Sequence, residues 1–167
     1  MKILNPASPI QINAALAVLR VVAGSVFAAH GAQKLFVFGF AGVSGAFGGM
    51  GVPMPEIVGP ATALLEFAGG LALIAGLLTR PIAAALAAVM IGAGVMVHAP
   101  NGFFMPNGYE LVLTLFGAAA TLAITGSGAW SLDALVSRRL STRAAEGQGH
   151  RASDVRAAQV LRQQAQR

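Results

Sequence analysis

The chain has 167 residues, of which 56% are apolar and only 10% charged, and it has no cysteine. Soluble domains carry about 25% charged residues, so an ordinary water-covered domain is excluded; so are disulfides, thiolate metal sites and iron–sulfur ligation by this chain. The formal charge of +5 is unevenly placed: Lys2, Arg20, Lys34 and Arg80 balance Glu56, Glu66, Glu110 and Asp133, whereas from Arg138 onward seven arginines face only Glu146 and Asp154.

Four apolar stretches follow in chain order, at about 14–35, 57–78, 81–97 and 109–125. A helix needs about 17–25 apolar residues to cross the hydrocarbon core. The first two have that length, and the last two sit at its lower limit, where a helix thins the bilayer or borrows flanking residues. All four are apolar all round, which leaves no polar face for water. The expected fold is therefore all-α, a four-transmembrane-helix bundle over residues 1–136 with a basic tail over 137–167. The first stretch reads as a retained span and not a cleaved signal, because Arg20 interrupts its apolar run and only Lys2 precedes it.

Between the first two stretches, Gly39, Gly42, Gly45, Gly48 and Gly51 recur every third residue. The segment is too short and too poor in proline for collagen. It reads as a short, bent interfacial loop with Phe36, Phe38, Phe40 and Phe47 in the headgroup region, turned back by Val52-Pro53-Met54-Pro55. Thr79-Arg80-Pro81 is a tight link, with Thr79 the expected cap of the third helix and Pro81 in its first turn. Trp130 is an interfacial anchor, and Ser131 with Asp133 begins a short juxtamembrane helix. Lys2, Arg80 and the arginine tail fall on one side of the membrane, so the positive-inside rule puts both termini in the cytoplasm. A basic tail directly after an apolar span argues for anionic headgroups, not nucleic acid, as its partner. Its polar, aromatic-poor composition is that of a disordered segment.

Ionisable groups inside a membrane cost about 2.5–3.5 kcal/mol each to insert, so each one calls for a reason. At about 100° per residue, Arg20, Lys34 and His30 share an arc of about 80° on the first helix. On the second, Gly59, Thr62, Gly69 and Gly70 flank Glu66, so a neighbouring helix can approach beside the carboxylate. Counting depth from Lys34 and Glu56 makes an Arg20–Glu66 pair the expected buried polar core. His30, Lys34, His98 and Glu110 form a second group near the outward face. Hydrogen bonding, proton transfer and contact with a quinone headgroup all suit that group. The two His and two Glu lack ligand spacing along a helix, so no metal is expected. His30 and His98 each end an outward-going helix, and Glu66 and Glu110 each lie on a returning one, a faint sign of duplicated hairpins. No hydrolase elbow, phosphate loop or dinucleotide fingerprint is present.

Taken together, several short motifs resemble the DoxX family. They are Leu19-Arg20-Val21 with Gly24; His30-Gly31 before Lys34-Leu35; Gly51-Val52-Pro53; Glu66 with Gly69-Gly70; Gly76-Leu77-Leu78-Thr79-Arg80; His98 with Asn101-Gly102-Phe103-Phe104; Gly108 with Glu110; and Gly126-Ser127-Gly128 before Ser131-Leu132-Asp133. The resemblance covers about residues 14–136. It implies a four-helix bacterial inner-membrane protein of a family named for small subunits of an archaeal thiosulfate:quinone oxidoreductase and quinol oxidase. Arg20, His30, Lys34, Glu66, His98 and Glu110 are the recurring polar residues it carries over. The function implied is an accessory or quinone-binding membrane subunit of a redox or oxidative-stress system, with a soluble or membrane redox partner and no covalent cofactor. A small transporter using the same stripe, or a scaffold with no catalysis of its own, is the alternative reading.

Overall fold

The computed structural model describes residues 6–104 and 106–142. They are helical, with no strand among them. The elements are α1 (Pro9–Ala32), a π-helical segment (Gln33–Phe38), α2 (Gly39–Gly49), α3 (Pro55–Ala75), α4 (Thr79–Ala93), a second π-helical segment (Gly94–His98), a 3-10 turn (Ala99–Asn101) and α5 (Glu110–Thr125). Three helical stretches, Pro9–Gly49, Pro55–Ala75 and Thr79–Asn101, are long and apolar enough to cross a membrane. The fourth, α5, has 16 residues, about 24 Å against a hydrocarbon core of about 30 Å.

Helix ends are set by local chemistry. Ser8 opens α1 with a capping box, its hydroxyl accepting from the Gln11 amide while the Gln11 side chain accepts from the Ser8 amide, and Pro9 occupies the first turn. Gly76 closes α3 at φ 69°, and the Leu77 amide reaches back to the Ala72 carbonyl at 2.9 Å. Leu78 then takes φ 47°, a left-handed conformation that a branched side chain rarely adopts. Thr79 is therefore inside α4 and does not cap it. The Asp133 carboxylate caps α4 instead, accepting from the amides of Leu78 at 2.7 Å and Thr79 at 3.0 Å. A carboxylate takes two amides where a threonine hydroxyl takes one, and it suits the positive end of the helix.

The glycine-rich segment after α1 differs from the expected loop. It is helical, in two pieces: a π-helical continuation of α1, then α2. The break falls at Gly39, whose φ of 66° and ψ of 169° end the straight run. Without that break 41 residues would extend about 60 Å, twice the hydrocarbon core. Val43 of α2 is buried, and its side chain lies where a Cβ on Gly59 of α3 would meet it at 3.1 Å.

α1 and α3 touch backbone to backbone. A Cβ on Gly31 would lie 2.2 Å from the Phe67 amide nitrogen, and one on Gly70 would lie 2.4 Å from that of Ala28. Small residues at such crossings allow the close van der Waals packing that holds helices together where water offers no hydrophobic driving force. The apolar core joins Phe27, Leu73, Leu86, Met90, Leu115 and Leu122 from four helices. Val18, Val22, Leu71, Ile91, Leu113 and Ile124 point outward and are exposed. An apolar exterior over an apolar core is the surface of a protein solvated by lipid.

The chain divides into a unit ending at Asp133 and another beginning at Ala134. Of the second, residues 134–142 are described and are helical. The arginine-rich tail expected to be disordered lies, over 143–167, outside the described residues, as does Lys2.

Candidate functional site

The end of the bundle where α1 gives way to its π-helical segment holds a cavity of about 600 Å³. That is the size range of ligand sites, about 300–1,000 Å³. His30, Lys34, Thr62, Glu66 and His98 supply its polar lining, and nearly all the rest is apolar, from Phe27 and Met90 at its base to Phe47, Met50 and Val52 around α2. Both π-helical segments border it: Lys34 sits in the first, and Met96, Val97 and His98 in the second. A π-helical turn widens a helix locally and is frequent at functional sites.

Within the chamber, the Lys34 ammonium donates to a Glu66 carboxylate oxygen. The Glu66 side chain is 5% exposed and that of Lys34 20%. Pairing keeps both charges in a low-dielectric setting that would otherwise expel them. His98 hydrogen-bonds through Nδ1 to the Asn107 carbonyl at 2.9 Å. A carbonyl only accepts, so Nδ1 carries a proton and donates it to Asn107. The loop that presents Asn107 is folded on itself: Tyr109 and Glu110 donate to the carbonyls of Gly102 and Phe103 at 3.1 and 3.0 Å. The ring of Phe103 packs edge-on against Tyr109. A Cβ on Gly108 would lie 2.4 Å from Phe103 backbone atoms, so this fold of the loop requires glycine there.

The expected Arg20–Glu66 pair is not formed. Gly31 packs against the backbone of Glu66 and Phe67, which puts Glu66 level with the turn of α1 that leads to Lys34. Arg20 lies eleven residues earlier, about 16 Å along the helix. Depths counted from Lys34 and Glu56 fail because α2 intervenes, so those residues do not start from the same level. Arg20 is 5% exposed and belongs to the other end of the bundle, where its Nη2 donates to the Trp130 carbonyl. Its guanidinium lies over Gly76, where a Cβ would collide with Nη1, and the charge of Asp133 acts on it. Glu110 begins α5 but is not among the chamber's lining residues. Thr62, Phe47, Met50 and Met90 join the lining without having been singled out for it. Thr62 alone gave a signal, through its position about 40° from Glu66 on the same helix face. Among the described residues, no three His, Asp or Glu side chains gather as metal ligands.

The other end of the bundle is closed by polar stitching. The Ala129 amide donates to Asn13 at 2.7 Å, the Asp133 amide to the Gly76 carbonyl at 2.9 Å, and Arg80 to the Ile124 carbonyl at 3.2 Å. Partial burial pushes the Asp133 carboxyl up, but hydrogen bonds led by the Thr79 and Leu78 amides outweigh it and hold the pKa below its ordinary value.

Residues 15–99 match the model of the DoxX family. The chain is 34% identical over 128 residues to the inner membrane protein YqjF of Escherichia coli (strain K12), covering 73% of this chain and 92% of that protein. It is 32% identical over 121 residues to CatD of Bacillus subtilis (strain 168), whose name describes it as an oxidoreductase, covering 71% of this chain and 84% of CatD. It is 30% identical over 128 residues to the inner membrane protein YphA of Escherichia coli (strain K12), covering 71% and 87%. No solved structure gives a significant match.

Proposed function

The chain belongs to the DoxX family, and we propose that it is a quinone-binding membrane subunit of a redox or oxidative-stress system. One observation carries this reading. An ion pair, Lys34–Glu66, is set with His30, His98 and Thr62 in a chamber whose other walls are mostly apolar. A quinone headgroup is a flat, neutral ring with two carbonyl acceptors, so it needs apolar faces and a few well-placed donors. Lys34 has three N–H groups and gives one to Glu66, which leaves donors for a carbonyl. Thr62 adds a hydroxyl, and the two histidines add ring nitrogens able to donate or accept a hydrogen bond. The oxidoreductase in the name of CatD is in keeping with this assignment. Electrons come from a partner dehydrogenase; this chain positions the ring and supplies its hydrogen bonds.

The reading carries an orientation. Arg80 lies where α5 finishes, and the arginines from Arg138 onward follow in the sequence. The positive-inside rule places that end, and both termini, in the cytoplasm. The chamber then faces the outer half of the inner membrane.

The test is extraction of bound lipid from protein purified in mild detergent. Wild type should yield quinone in stoichiometric amount. Glu66→Gln, which keeps an acceptor for Lys34 but not its countercharge, should lose it at a smaller cost in thermal stability than Glu66→Leu. Phospholipid alone from wild type would contradict the proposal and favour a transporter.

A further inference from the structure

A second, smaller cavity of about 280 Å³ runs along the seam between α4 and α5. Its walls are apolar except for Tyr109, and Ile91, Val95 and Leu113 on its rim are exposed on the lipid-facing surface. Met90 and Val112 line both this groove and the polar chamber. Both side chains are nearly buried, so they stand as the partition between the two spaces. The second π-helical segment starts at Gly94, which lines the groove and whose missing side chain leaves room toward Val112.

We infer that the chamber is loaded sideways from the bilayer, past Met90 and Val112, and that its ligand carries an isoprenoid tail that lies in the α4–α5 groove while the polar head occupies the chamber. The inference rests on the quinone reading and adds the class of quinone and its route. The polar chemistry of the two spaces divides as such a molecule does: the ion pair, the two histidines and Thr62 line the chamber and not the groove, whose walls are apolar except for Tyr109. Methionine suits the partition because its unbranched, flexible side chain yields to a passing chain without leaving a permanent hole. A tail in this groove remains among apolar groups throughout, so loading does not take it through water.

Two glycines separate the head site from the tail site. Gly92 lines the chamber, and a Cβ there meets nothing within 4 Å, so Gly92→Phe fills the chamber. Gly94→Phe fills the groove from α4, and Leu113→Trp, at a half-exposed position, fills it from α5 without changing the π-helical segment. The full chain in lipid nanodiscs is titrated with one benzoquinone ring in two forms, bare and isoprenoid-tailed. Gly94→Phe and Leu113→Trp should each weaken the tailed form by roughly tenfold and leave the bare ring within about twofold, while Gly92→Phe weakens both. Unchanged binding of the tailed form by both groove variants would overturn the side entry and leave the quinone reading in place. Equal loss of both forms in the groove variants would overturn a separate tail site. A wild type that binds neither form would overturn the quinone reading and the tail with it.

Discussion

The two ends of this bundle use charge in opposite ways. At the end where α3 turns into α4, Asp133, Arg20, Asn13 and Arg80 each hold a backbone amide or carbonyl of a segment distant in sequence, although Nε and Nη1 of the buried Arg20 have no hydrogen-bond partner among the described residues. At the other end, Lys34 and Glu66 hold each other, with no further partner among the described residues, beside a chamber with room for a ligand. A charge that bonds backbone fixes the fold. A charge pair placed beside empty, mostly apolar space stabilises little, since an apolar pair of the same volume would serve the packing as well or better. That difference is why the proposed ligand site is put at the chamber, while the polar contacts at the other end, a clasp between distant segments, are read as architecture.

Single and double variants sharpen that contrast. Glu66→Leu leaves the partly buried Lys34 without its partner and should cost about 2–3 kcal/mol of stability, read as a fall in the thermal or denaturant midpoint in micelles. Lys34→Met with Glu66→Leu should recover most of that loss and still bind no quinone. A double variant as unstable as the single would make the pair structural and erase the contrast. At the clasp, Asp133→Ala strips two amides of their acceptor and should cost about 1–2 kcal/mol, discounted for partial exposure, with quinone binding unchanged.

The Asp133 contribution also depends on pH. Its folded pKa lies below the ordinary 3.8, so the stabilisation is complete above that value and is lost as pH falls through the lowered one. The stability curves of wild type and Asp133→Asn should therefore lie apart near neutrality and converge in acid. Curves that stay parallel would exclude the carboxylate as the source. The smallest effect is expected far from both charge sets: Ser8→Ala removes the α1 capping box and should cost about 1 kcal/mol or less, with no change in ligand retention.

The helical spans were legible because an apolar run long enough for the bilayer has few other uses. The segment over 36–51 was not, since its glycines disfavour helix in water. Beside lipid, every backbone amide and carbonyl must be satisfied internally, and helix is the cheapest way to do that. Helical periodicity put His30 and Lys34 on one face of the first helix and Thr62 beside Glu66 on the next, and all four line the chamber. It could not assign Glu66 to Lys34 over Arg20, because that choice depends on how high α3 stands beside α1, which Gly31 and Gly70 set by contact. The same holds for Asp133 capping α4 in place of Thr79: the pair is 54 residues apart, and no local motif marks it.

A quinone ring bound where we propose, beside the Lys34–Glu66 pair, would be open to capture there. Photolabelling in nanodiscs tests that proposal most directly, with a benzoquinone carrying a photoreactive azide on the ring and peptide mapping of the labelled chain. The account predicts labels on residues that line the chamber, such as Met90, Met96 and Phe27, suppressed by excess unlabelled quinone and absent in Glu66→Gln. Labels spread over the lipid-facing side chains Val18, Leu71 and Ile124, unchanged by competitor or by Glu66→Gln, would contradict it.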